Sequence, residues 1–149
     1  MAKISRTIGR NFEQKVRRDL EENKWIVCRW LNNVEFEEIT DDDGIPSITI
    51  SLIPAKYSPK NRWTGFPDFF AFRRKEINSE IRDIKIIGEY VNEMLLYQVI
   101  GVESKVNKYL TNEEKEKCRW LLHNNIFSKI LIAYRGKRGK IKYEDFENA

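Results

Sequence analysis

The segment Tyr97-Gln-Val-Ile-Gly-Val-Glu-Ser-Lys105 decides how the rest of the chain is read. Its β-branched and aromatic residues favour a strand. Side chains on a strand alternate between its two faces, so Glu103 and Lys105 emerge on the same side. They stand at the end of a run that contains Val99, Ile100 and Val102. Burying two charges in such a strand is costly unless they meet each other or a metal. The pair therefore reads as a site at the mouth of a core strand.

Working outward, Gly65-Phe-Pro-Asp-Phe-Phe-Ala-Phe72 predicts a second core strand opened by a turn, with Pro67 fixing the approach and Asp68 at the strand's start. Between Thr7 and Asn23, Ile8, Phe12, Val16 and Leu20 recur every fourth position, the stripe of a helix about four turns long. Trp25 to Leu31 follows as a strand ended by Asn32-Asn33. Residues 33–63 read as an excursion with one strand in it, Ser47 to Ile53, and residues 74–94 as a polar insertion, helix or hairpin. Thr111-Asn-Glu-Glu114 is a capping box that opens a helix continued by Cys118, Leu121 and Leu122. Phe127 to Tyr134 is a strand, and Gly136-Lys-Arg-Gly139 turns it back into Ile141 to Phe146 as a terminal hairpin. This alternation predicts a single α/β domain over residues 1–149, a sheet covered by helices on both faces.

Composition sets the outer bounds. With 41% hydrophobic residues, four Trp, six Tyr and eight Phe, the 149-residue chain has enough apolar surface for a core without staples. Its longest apolar runs are far shorter than a membrane span, and Met1 to Arg10 has no apolar stretch of signal type. The expectation is a protein of the cytoplasm of a prokaryotic or virus-infected cell, with no membrane partner. Two cysteines, Cys28 and Cys118, and one histidine, His123, support neither a zinc cage nor a disulfide framework. Both thiols read as core-facing and His123 as a boundary residue. A net charge of +4 tilts toward a polyanion, and the charge is unevenly spread. Glu35 to Asp43 holds six acids in nine residues, while Arg135 to Lys142 holds five bases and no acid. The Asp41 to Asp43 run reads as a solvated loop.

Hydrolysing a phosphodiester requires an activated water and a tolerated negative charge, which Mg²⁺ held by carboxylates supplies. Mg²⁺ takes oxygen ligands, two or three carboxylates with a carbonyl being enough. A lysine beside them stabilises the developing charge or orients the water. Asp68, Glu103 and Lys105 have this composition.

Gly65-Phe-Pro-Asp68, then Glu103-Ser-Lys105, then Tyr109-Leu-Thr and a helix, resemble the PD-(D/E)XK nucleases, in particular the archaeal Holliday-junction resolvases and the virus-type replication-repair nucleases. The resemblance covers most of the chain. It implies a three-layer α/β/α sandwich around a central mixed β-sheet, a restriction-endonuclease-like core. It also implies Mg²⁺ dependence, with Mn²⁺ substituting, and a role in DNA recombination or repair. Gly9-Arg-Asn-Phe-Glu13 matches the family's acid on the first helix, so the implied metal set is Glu13, Asp68, Glu103 and the Ser104 backbone carbonyl, with Asp68, Glu103 and Lys105 catalytic. The chain departs from the pattern in the long gap from Asp68 to Glu103, in the extra 33–63 segment, and in Glu114 where relatives tend to carry Gln.

Basic residues interleaved with aromatics, Lys56, Lys60 and Arg62, precede Asp68, and Arg6, Arg10, Lys108, Lys137 and Arg138 join them as candidate phosphate contacts. The expected partner is DNA, branched DNA included, bound by a homodimer that presents two sites. Each motif alone has a plainer reading: a loop acid, a solvated strand end, or Glu13 paired with Arg10 and Arg17 on the helix surface. The rival functions are a non-catalytic nucleic-acid-binding module of the same fold and a restriction-type enzyme reading duplex sequence.

Overall fold

The computed structural model describes residues 2–56, 65–74 and 97–147, with side chains from Thr7 onward. The insertion expected at 74–94 therefore lies outside the described residues from residue 75 on, as do Lys60, Arg62 and the Arg6 side chain.

Helix α1 (Ala2–Glu22) starts earlier than the apolar stripe predicts, since nothing in its first turn breaks a helix. Phe12, Val16 and Leu20 are buried, but Ile8 is 45% exposed, contrary to expectation. Among the described residues, the apolar cluster beneath the helix reaches only as far as Phe12.

Among the described residues the other strands and helix are β1 (Ile26–Arg29), β2 (Asn32–Thr40), β3 (Pro46–Pro54), β4 (Phe69–Arg74), β5 (Tyr97–Ser104), helix α2 (Asn112–His123), β6 (Lys129–Arg135) and β7 (Ile141–Asp145). The main sheet is five-stranded, in the order β1-β4-β5-β6-β7. It is mixed: β5 and β6 run parallel, and the other pairs are antiparallel. The crossover from β5 to β6 is made by α2, as a parallel pair requires.

Strand alternation sorts the core into two clusters. Phe12, Val16 and Leu20 of α1 pack with Phe69, Ala71, Ile100, Val102 and Ala133. Cys118 and Leu121 of α2 pack with Phe66, Phe127, Ile130 and Ile132. Val16, Ile100, Leu121 and Ile130 are fully buried, and each such side chain stabilises the fold by about 1.5–3 kcal/mol. Cys118 is buried in the second cluster, and that burial pushes its thiol up to about 12. Cys28 is only half-buried rather than core-facing, and both thiols are free. His123 is exposed at the end of α2.

The 33–63 excursion holds two strands where one was expected. β2 and β3 form a separate antiparallel hairpin, and the acidic run supplies β2 and the turn. Val34 pairs with Leu52 and Phe36 with Ile50 on one face, and all four join the α2 cluster. The neighbouring acids Glu35 and Glu37 fall on the other face. At the turn, Asp41 Oδ1 accepts the N–H groups of Asp43 and Ile45, and Gly44 takes φ 77°. No described helix is long and apolar enough to cross a membrane.

Candidate active site

Asp68 is delivered to the sheet by a tightly held turn. Phe66 N–H donates to the Asn32 carbonyl at 2.9 Å, and Trp30 N–H to the Asp68 carbonyl at 3.1 Å. The Phe66–Pro67 peptide is cis and Pro67 is fully buried. Gly101 of β5 makes room for it: a Cβ there would lie 2.9 Å from Pro67 Cγ and 3.0 Å from the Phe127 ring. Phe69 then pairs with Val102, so the next position of the ladder sets Asp68 against Glu103.

The contacts follow from that register. Asp68 N–H donates to Glu103 Oε2 at 3.0 Å. Ser104 donates twice to Asp68 Oδ2, from its backbone N–H at 2.8 Å and its hydroxyl at 2.5 Å. These bonds fix the Asp68 carboxylate while leaving Oδ1 without a hydrogen bond among the described residues. Lys105 N–H reaches the Ala133 carbonyl at 2.8 Å, extending the β5–β6 ladder one residue past β5. Its Nζ lies 3.7 Å from Glu103 Oε1 and 2.6 Å from Glu114 Oε2 on α2. Glu103 and Lys105 thus share a face, as alternation predicts.

Glu13 approaches from α1. It is half-buried, and burial together with repulsion from Asp68 pushes it up to about 7 against the pull of Arg29 and Arg10. Its expected surface partner Arg17 instead holds Glu21 at 3.0 Å and the Val27 carbonyl at 3.3 Å. Arg17 is thus taken by Glu21, and Glu13 lies within the electrostatic reach of Asp68, Arg29 and Arg10.

Electrostatics tie the group together. Burial raises Asp68 above the usual carboxylate range, with the Ser104 hydrogen bonds and Lys105 opposing. Burial holds Glu103, 6% exposed, well above that range, and repulsion from Asp68 adds to it. Burial would lower Lys105, but its hydrogen bond to Glu114 and the charges of Glu103, Glu114 and Asp68 leave it raised. For Glu114 burial acts upward and is outweighed by the hydrogen bonds it accepts from Lys105 and the Thr111 N–H, so it is lowered. Asp68 therefore repels both Glu13 and Glu103, and the ammonium that attracts Asp68 and Glu103 is already shared with a fourth acid, Glu114. All donors are carboxylate or carbonyl oxygens, the set a hard divalent cation takes. Among the described residues no three His, Cys, Asp or Glu side chains stand at mutual metal-ligand spacing. The acids come instead as the pair Asp68 and Glu103, joined by the Asp68 N–H, with Glu13 close enough to feel the charge of Asp68.

The candidate phosphate contacts are distributed unevenly. Arg10 is exposed and near Glu13. Lys137 and Arg138 are exposed on the 3₁₀ turn Lys137–Gly139, where Arg138 takes φ 59°. Because Ser104 pairs with Ala133 in parallel, this turn lies at the same end of the sheet as Lys105. Lys56 is paired with Glu35 at 3.0 Å and Lys108 with Glu144 at 2.7 Å. Both pairs are open to solvent, which screens them enough for the lysines to exchange their partners for a phosphate.

Two participants escape a reading of the sequence. Glu114 is legible there as the acid of a capping box and as a departure from the Gln of the resembled nucleases, but neither reading links it to the lysine it grips, nine positions upstream. Arg29 closes β1 and nothing local links it to Glu13. No protein-family model matches this chain, and no curated protein or solved structure matches it either.

Proposed function

We propose that the chain is a metal-dependent DNA endonuclease of the PD-(D/E)XK type, on a three-layer α/β/α sandwich with a restriction-endonuclease-like core. The observation that carries this reading is the convergence of Asp68, Glu103 and Lys105 at one end of the sheet. Asp68 N–H bonds to Glu103, and the Lys105 ammonium lies 3.7 Å from the same carboxylate. Two acids held above their normal range beside a lysine serve no evident purpose in the core itself, since apolar residues would fill the space without repulsion.

In this reading Glu13, Asp68, Glu103 and the Ser104 carbonyl would hold Mg²⁺ or Mn²⁺. The metal would supply Lewis-acid activation of water and charge neutralisation at the phosphate. Ser104 orients Asp68 so that one carboxylate oxygen is committed and the other is left for a ligand. Lys105 presents a compact, rotatable set of donors to the charge that develops on the scissile phosphate. Arg10, Lys137 and Arg138 flank the site and steer the backbone of the nucleic acid. Branched DNA is the favoured substrate class, handled by a homodimer with two sites at fixed separation.

The test is cleavage of labelled four-way junction, duplex and single-stranded DNA with Mg²⁺ or Mn²⁺, comparing the native chain with Asp68→Ala and Lys105→Ala. Metal-dependent cutting lost in both variants is the expected result. DNA binding without cutting of any substrate would replace the proposal with a binding module.

A further inference from the structure

We propose that Glu114 is a positioning residue for Lys105, tying the site's lysine to the N-terminal cap of α2 through a single carboxylate. The inference rests on the nuclease reading for its consequence and on geometry for its substance. Lysine is a flexible four-carbon stem, and an ammonium that must meet a developing charge needs something to hold it. The neighbour expected from the strand, Glu103, is 3.7 Å away, whereas Glu114 is at 2.6 Å. The ammonium is thus held chiefly by the helix.

The carboxylate that holds it is itself held. Glu114 Oε1 accepts the Thr111 N–H at 3.0 Å, and Thr111 Oγ1 accepts the Glu114 N–H at 3.1 Å, the reciprocal pair of a capping box. The capping box itself uses only one oxygen of its acid. Here the other oxygen is occupied by Lys105, and the Glu114 side chain is only 15% exposed. The two oxygens divide the work. Oε1 locks the side chain to the first turn of α2, and Oε2 takes one of the three ammonium donors. A second donor faces Glu103, which leaves the third for substrate. The Lys105 ammonium is therefore tied to the start of α2 through the Glu114 carboxylate, whose other oxygen is held by the backbone N–H of Thr111.

The experiment compares full-length Glu114→Ala, Glu114→Gln and Thr111→Ala with the native chain. Labelling of Lys105 by brief reductive methylation, read by peptide mass spectrometry, is measured beside kcat, KM and Tm. Loss of the carboxylate in either Glu114 variant is expected to raise Lys105 labelling about fivefold, because the ammonium is released to solvent. It is expected to lower kcat by about tenfold to a hundredfold with KM within about threefold, the pattern of a lost transition-state contact. Glu114→Gln retains an acceptor for the Thr111 N–H, so its fold persists if Glu114→Ala fails. Thr111→Ala removes the hydroxyl cap but keeps the carboxylate on Lys105. It is expected to lower Tm while leaving labelling and kcat within about twofold of the native chain. Unchanged labelling in both Glu114 variants overturns the proposal, as does a loss of kcat in Thr111→Ala equal to that in Glu114→Gln, which would mark a purely structural cap. A native chain that labels as expected but cuts no DNA would remove the nuclease reading and leave the positioning contact established.

Discussion

Replacing Asp68 by Asn is expected to stabilise the metal-free protein at pH 8 while destroying its response to divalent cations. Asn keeps an oxygen for the two Ser104 donors but removes the charge that repels Glu13 and Glu103. All three acids have folded-state values raised above their unfolded ones. The folded state therefore binds protons more tightly than the unfolded state, and the stability this represents is present at low pH and lost on deprotonation. For Glu13 the loss spans the window from 4.5 to about 7. At about 1.36 kcal/mol per unit, the shift has an upper bound of about 3 kcal/mol. Glu13 is only half-buried and solvent screens it, so about 1–2 kcal/mol is the realistic size of the effect. The assay is urea or thermal denaturation in EDTA at pH 5 and pH 8. The native chain should lose stability between them on account of this cluster, and Asp68→Asn should recover up to about 1 kcal/mol at pH 8, about 2–4 °C in Tm, with little gain at pH 5, since burial, the largest cause of the Glu13 shift, is untouched by the substitution. Excess Mn²⁺ should raise the native Tm at pH 8 and leave that of the variant unmoved. An Asp68→Asn protein equally destabilised at both pH values would refute the reasoning, because Asp68 would then serve as a packed hydrogen-bond hub rather than as one of a set of repelling charges.

Two further substitutions probe the scaffold. Gly101→Ala would set a Cβ 2.9 Å from Pro67 and 3.0 Å from Phe127, so it should destabilise by about 1–3 kcal/mol and weaken cleavage more than DNA binding, measurable by urea melts and by paired binding and cutting assays. Leu121→Ala, at a fully buried position of α2, should cost about 2–5 kcal/mol in chemical denaturation, and a loss under about 1 kcal/mol would mean that α2 is not seated on the sheet.

The parts of the site legible in the sequence are those whose geometry is local. Alternation along 97–105 alone puts Glu103 and Lys105 on one face, and the Thr111 to Glu114 spacing alone places a helix start, because both depend on neighbours within a turn or a pleat. The every-fourth stripe of α1 is read the same way, apart from Ile8, whose burial depends on how far the sheet extends beneath the helix. The hairpin of β2 and β3 is less legible because six acids in nine residues look like a solvated loop. Its strand character comes from pairing with β3 and from Val34 and Phe36 meeting α2, and both depend on residues far along the chain.

What the sequence determined by itself was therefore the inventory: an α/β alternation, an acid and a lysine at a strand end, a second acid before a strand, and a third on a helix. The tertiary structure decided which of these meet. It set Asp68 opposite Glu103, brought Glu13 within reach of the charge of Asp68, and gave the Lys105 ammonium a closer partner in Glu114 than in its strand neighbour. The reason is physical. Periodicity records which side of its own element a residue faces, whereas sheet order, register and helix seating are set by burying two faces of one sheet at once, a condition on the whole chain that no short window of sequence carries.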